Sequence, residues 1–100
     1  MAGGDWKAMF RGIQENDLEL VKYYLKTGID PNYQHPEYLA LPLAESIRYD
    51  HMEMTELLLK YGASSAIIEE ESGISVLEIA KSMKKKKVVK LLEKYLEVKT

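Results

Sequence analysis

Cysteine is missing altogether from the 100 residues, which excludes a disulfide scaffold, a thiolate zinc site, a thiol nucleophile and an iron–sulfur cluster. That absence suits a reducing, cytoplasmic setting. Long apolar runs are missing too: the longest nonpolar stretch, Leu39 to Ala44, is interrupted by Pro42 and falls far short of the roughly 20 residues that span a bilayer. The opening residues, Met1-Ala2-Gly3-Gly4-Asp5, have neither the basic nor the apolar segment of an export signal, so no membrane role is expected. The glycines form no phosphate-cradling loop, and the only histidines, His35 and His51, lie 16 residues apart without the spacing of a zinc site. Neither a metal nor a cofactor is expected, and no nucleophile with a positioned acid/base partner emerges, so the chain does not read as an enzyme.

A hydrophobic share of 46% beside 30% charged residues is the composition of a folded soluble protein. At 100 residues it has room for one core, so residues 1–100 read as a single domain. The net charge of -2 hides an asymmetry. Residues 1–80 hold 6 Lys and Arg against 14 Asp and Glu, a balance of -8, whereas residues 81–100 hold 8 against 2, a balance of +6. The chain has an acidic body and a basic end.

Self-similarity with a period of 34 organises the sequence. Leu25-Lys26-Thr27-Gly28 recurs as Leu59-Lys60-Tyr61-Gly62, and Leu41-Pro42-Leu43 as Ser75-Val76-Leu77. Three copies fit, about 5–38, 39–72 and 73–100. Each reads as two short helices and a loop. Pro42 suits a first helical turn, where its missing N–H leaves no bond unmade, and that helix is expected to run to about Tyr49. Asp50 with Glu53, Asn16 with Glu19, and Ser75 with Glu78 have capping-box spacing and are expected to open helices. Gly28 and Gly62 suit the left-handed residue that ends a helix. The turn at Lys84 to Lys87 places positive charge where the helix dipole disfavours it and is expected to be the loosest.

The contiguous Glu69, Glu70 and Glu71 lack the alternating spacing of a calcium loop and read as a solvated acidic loop. Lysines at 81 and 84–87 could neutralise phosphates, but no aromatic residue is interleaved to stack on bases and the acidic body would repel the polymer, so nucleic acid is not the expected partner. The segment Asp30 to Tyr38 is richer. Tyr33, Gln34, His35, Glu37 and Tyr38 stand around Pro31 and Pro36, combining restricted flexibility with large side chains that have hydrogen-bonding tips, as protein interfaces do. Packing of Tyr33 or Tyr38 onto the first helix pair accounts for the same residues equally well.

The pattern resembles the ankyrin repeat over nearly the whole chain, from about Asp5 to Tyr95. Leu41-Pro42-Leu43 stands where that family has Thr-Pro-Leu, and Asp50-His51-Met52-Glu53 where it has a Gly-His-x-Glu turn. Leu57-Leu58-Leu59-Lys60-Tyr61-Gly62-Ala63 closes the second helix, and Ile29-Asp30-Pro31-Asn32 is similar to the hairpin entry Ala-Asp-Val-Asn. The resemblance implies an all-α ankyrin repeat solenoid of three helix-turn-helix units with hairpin-like loops. It makes His51 a structural helix-start residue. Each copy is one residue longer than the usual 33, with the extra residue between the closing glycine and the next helix, so irregular loops are expected. Arg11 and Glu45 fall at successive copies of a position that is usually leucine, and an ion pair between them is expected.

The function that follows from the resemblance is binding of another protein through a concave face. Gln14, Glu15, Arg48, Tyr49, Ser82 and Met83 on the inner helices join the loop residues there. Short ankyrin-like chains with this Asp-Pro-Asn-Tyr-Gln-His-Pro-Glu loop resemble bacterial stand-alone proteins, some of which are immunity partners of toxins. An acidic body suits a basic partner. The alternative is a self-assembling structural protein, which a contiguous apolar patch along Met52 to Tyr61 would favour; otherwise the unbound chain is expected to be a monomer.

Overall fold

The computed structural model describes residues 3–98. Six helices follow one another: α1 (Gly3–Gln14), α2 (Leu18–Lys26), α3 (Pro42–Arg48), α4 (Met52–Lys60), α5 (Val76–Ser82) and α6 (Lys86–Val98). Among the described residues the only β feature is an isolated antiparallel bridge between Ile68 and Ser75. The fold is an all-α solenoid of three helix pairs, as the resemblance implies. α1, α3 and α5 pack successively as one layer, α2, α4 and α6 as a second, and each helix of the first layer lies on its successor in the second.

The turn within each pair is built the same way. Asn16, Asp50 and Lys84, spaced by 34, have φ of 58°, 60° and 58°. The following amides reach back to Gly12, Ser46 and Ala80 at 2.8, 2.9 and 3.1 Å, and the three residues themselves reach Ile13, Ile47 and Lys81 at 3.2, 3.1 and 3.0 Å. These paired bonds are Schellman closures, which satisfy the last carbonyls of the helix through one left-handed residue. Asn16 and Asp50 therefore do not open helices, contrary to their capping-box spacing. They end α1 and α3, and asparagine and aspartate tolerate the left-handed region better than most side chains. The N-caps lie one residue on: Asp17 accepts from the Leu20 amide at 3.2 Å, and His51 caps α4 without a side-chain bond. Ser75 and Glu78 do form the reciprocal box at α5. Gly28 and Gly62 close α2 and α4 with φ of 102° and 99°.

Small residues recur where the two layers cross. A Cβ added to Gly12 would lie 3.1 Å from Val21 and 3.3 Å from Leu20. The equivalent Ser46 and Ala80 are fully buried. Apolar rows run through the stack at the same period: Ile13 and Ile47, Leu25 and Leu59, Leu58 and Leu92 are all buried. Each row gains its shelter only from the neighbouring pair, which is why such units are stable as a stack and not singly.

Candidate functional site

The loop between α2 and α3 is held down by aromatic packing on Trp6. This only tryptophan is buried in α1, stacked on Phe10 with centroids 4.8 Å apart. Tyr38 meets both rings edge-on at 5.4 and 5.2 Å, His35 tilts over Trp6 at 5.4 Å, and Tyr33 approaches it edge-on at 6.3 Å. Offset and edge-to-face geometry of this kind adds attraction beyond burial alone. His35 is 9% exposed, and its Nδ1 accepts from the Glu37 amide at 3.1 Å, so its ring serves the loop. Tyr33 and Tyr38 remain 44% and 37% exposed: one edge of each packs and the rest faces outward. Lys7 on α1 reaches Glu37 at 2.9 Å. The hydrogen bond between them raises the Lys7 amine and lowers the Glu37 carboxyl from their ordinary ranges.

This loop is tied to the one between α4 and α5 by side-chain amides in place of a continuous strand ladder. Gln34 donates to the Ile68 carbonyl at 3.0 Å and accepts from the Glu70 amide at 2.8 Å. Asn32 donates to the Gly62 carbonyl at 3.0 Å and accepts from the Ser64 amide at 2.9 Å. Each amide thus takes one donor and one acceptor of the next loop, the pattern a neighbouring backbone would satisfy. Spacing alone did not single out Asn32.

Behind the loops lies a polar chain whose pairing differs from the one that register spacing predicts. Glu45 does not pair with Arg11, which is exposed. It accepts instead from Gln14 at 2.8 Å and lies 3.8 Å from Arg48 on its own helix. Arg48 grips Glu69 with two bonds, at 2.8 and 2.5 Å. The Leu41 amide donates to the same carboxylate at 3.1 Å. Glu69 is fully buried whereas Glu70 and Glu71 are exposed, so the expectation of a solvated acidic loop fails at the first of the three residues and holds at the other two. Burial pushes its carboxyl up, yet the bonds from Arg48 and Leu41 outweigh that and leave it below the usual range. The bond to Glu69 raises the Arg48 guanidinium in turn. His51 donates from Nε2 to the Gln14 carbonyl at 3.0 Å, linking the first two pairs as a helix-start residue.

Three of the remaining side chains stand in a row. Glu15, Tyr49 and Met83 each occupy the place just before a left-handed residue, 34 positions apart, and all are exposed, Tyr49 by 48%. Beside them Gln14 and Arg48 are half-buried and engaged in the polar chain, and Ser82 is exposed with its hydroxyl on the Ile79 carbonyl at 2.8 Å. The loop set and the row therefore divide into groups that hold the frame, His35, Gln34, Gln14 and Arg48, and groups that face outward, Tyr33, Glu37, Tyr38, Glu15, Tyr49, Ser82 and Met83. Among the described residues no three His, Asp or Glu side chains gather as a metal ion requires, and no helix is long and apolar enough to cross a membrane.

Comparison with known proteins agrees with this architecture. Residues 9–100 match the family model of ankyrin repeats, in three copies. The chain is 29% identical over 76 residues to the ARF GTPase-activating protein Git of Drosophila melanogaster, covering 76% of this chain and 10% of that protein. It is 26% identical over 87 residues to a putative ankyrin repeat protein of Fowlpox virus, covering 87% and 12%, and 35% identical over 65 residues to the human palmitoyltransferase ZDHHC13, covering 65% and 10%. It spans about a tenth of the length of these relatives. Ankyrin repeats generally mediate protein–protein interaction and are not themselves catalytic, and with its three stacked helix pairs and a match over residues 9–100 this chain belongs to the ankyrin repeat family.

Proposed function

We propose that the chain is a non-catalytic module that binds another protein through the face formed by the ends of α1, α3 and α5 and the loop following α2. The observation that supports this reading best is the exposed row Glu15, Tyr49 and Met83, repeated at one residue per helix pair. A large aromatic, a thioether and a carboxylate on a rigid repeat are an interface chemistry, and their backbone positions are pinned by the turns behind them. Tyr33, Glu37 and Tyr38 extend the surface along the loop. His35, Gln34, Gln14 and Arg48 support it from behind.

The -8 balance of residues 1–80 favours a basic partner, drawn in by long-range attraction that salt weakens. An inhibitor or immunity role toward a basic toxin in the cytoplasm is the specific form we favour. Self-assembly is less favoured because α4 turns Met54, Leu58 and Leu59 inward, leaving Met52 as its exposed large apolar residue.

The test is affinity capture from lysate of the source cells at low and moderate salt, with Tyr49→Ala and Glu15→Lys beside the unaltered chain. Both positions are exposed, so neither change disturbs the core. A basic protein retained at low salt, released by salt, and lost with either substitution supports the reading. Capture that ignores both substitutions, or capture of the chain alone, overturns it.

A further inference from the structure

α5 and α6 border an open groove of about 440 Å³ lined by Val89, five lysines (Lys81, Lys84, Lys85, Lys86 and Lys90) and Glu93. The repeat explains what this groove is. One period earlier, Ile47, Asp50, Met52 and Thr55 line a crevice together with Val88, from the first turn of α6, and Lys85, three residues before Val88, forms an ion pair with Asp50. That crevice is how one helix pair receives the next helix. The open groove is the same surface shifted by 34 residues and made basic: Lys84 stands for Asp50, Lys85 for His51, Lys81 for Ile47 and Lys86 for Met52, while Val89 replaces Thr55 and makes the floor more apolar.

The geometry points to an occupant, and we propose that this groove docks the first turn of an acidic amphipathic helix from a partner protein. An aliphatic side chain of that helix sits over Val89 as Val88 sits against Thr55. A carboxylate three residues before it meets Lys84 as Lys85 meets Asp50. Acidic residues in a first turn also complement the helix dipole, so the incoming segment is favoured where lysines at the start of α6 are not. A polynucleotide fits the groove less well: it has no aromatic stacking surface for bases, whereas Val89 offers an aliphatic contact. The groove adjoins Met83 at the end of α5, but none of Glu15, Tyr49 and Met83 lines it, so the inference does not depend on that row.

The experiment is selection of a helix-biased peptide library against the full chain, with Lys84→Glu/Lys86→Glu as the comparison target, followed by affinity measurement on the selected synthetic peptide. Both lysines are exposed, and circular dichroism confirms that the variant is folded. The expected outcome is enrichment of an acidic residue three positions before an aliphatic one, with affinity falling about tenfold or more on the variant, in line with charge pairs at an interface. Glu15→Lys and Tyr49→Ala leave this binding unchanged. No enrichment, or enrichment without that pattern, overturns the proposal. So does tighter binding of a short duplex oligonucleotide or of phosphatidylserine vesicles at the same salt, or a dimer in sedimentation that the double substitution dissolves, which would give the groove to a second copy.

Discussion

Arg48 and Glu69 close on one another as a two-bond ion pair across 21 residues of chain, joining the end of α3 to the loop that leads into α5. Three groups converge on one buried carboxylate: two guanidinium nitrogens and the Leu41 amide. The loop cannot lift without breaking all of these bonds. It follows that Glu69→Gln should destabilise by about 2 kcal/mol, because it removes the two-bond counter-charge of a half-buried Arg48 and leaves only the longer contact to Glu45. Urea unfolding at neutral pH measures this, and a change below about 0.5 kcal/mol, the range of an ordinary surface substitution, would count against the pair.

The same carboxylate sets a direction for acid stability. Its folded value lies below its unfolded one, so its contribution is complete above the unfolded value of about 4.3 and is lost as pH falls through the lower folded value. Stability of the parent should drop more steeply than that of Glu69→Gln between about pH 4.5 and pH 3. Parallel acid limbs in the two proteins would show that Glu69 is not the responsible group.

Lys84 is a long side chain in the left-handed place that Asn16 and Asp50 fill in the earlier pairs, a helix-ending conformation that glycine supplies after α2 and α4 at residues 28 and 62. Lys84→Gly should raise stability by up to about 1 kcal/mol by removing the Cβ penalty. Leu39, with φ of 54°, occupies the place of Gly73, with φ of 77°, one period later. There the gain from Leu39→Gly should be smaller because part of the leucine is sheltered, whereas Gly73→Leu should cost about 1–2 kcal/mol. Thermal unfolding of the three variants tests the ordering.

Gln34 and Asn32 make a further prediction at single-amide resolution. Gln34→Ala should deprotect the Glu70 amide in hydrogen exchange, and Asn32→Ala the Ser64 amide, because each amide donates to the side chain removed. Global stability should fall by about 1 kcal/mol in each case. Unchanged exchange at both amides would mean that the loops are held by the aromatic packing alone.

Ser46 and Thr55 touch at 2.8 Å between hydroxyls where the neighbouring pairs have Gly12 with Val21 and Ala80 with Val89. Ser46→Ala/Thr55→Val converts this layer to the apolar form of its neighbours. The double variant should lie within about 0.5 kcal/mol of the parent although Ser46→Ala alone costs about 1 kcal/mol, since the single change leaves the buried Thr55 hydroxyl with the His51 carbonyl alone and the double change removes that hydroxyl. Additive losses in the cycle would refute the coupling.

Much of this molecule is legible in its sequence because a period of 34 is a global signal, averaged over many apolar contacts. Helix starts and ends depend on single dihedral angles and were less visible. Capping-box spacing at Asn16 and Asp50 looks the same whether the residue opens one helix or closes the one before it, and only φ separates the two. Ser75 was readable because no preceding helix competes for it. The Arg11–Glu45 expectation took two residues from one register row, yet side chains reach obliquely, and Gln14 and Arg48 were nearer. Glu69 was hidden by Glu70 and Glu71: three like residues in a row gave no hint that one is drawn inward by an arginine 21 residues earlier. The loop residues were picked out for their chemistry, but the ring that organises them, Trp6, lies about 30 residues away in α1 and no local pattern connects them.

Trp6 also gives the protein a built-in optical gauge. Its indole lies under Tyr33, His35 and Tyr38, sheltered from water, and no second tryptophan dilutes its emission. Lifting of the loop would shift that emission to the red and weaken energy transfer from the two tyrosines, so a partner's arrival at this face can be followed in plain solution without attaching a dye.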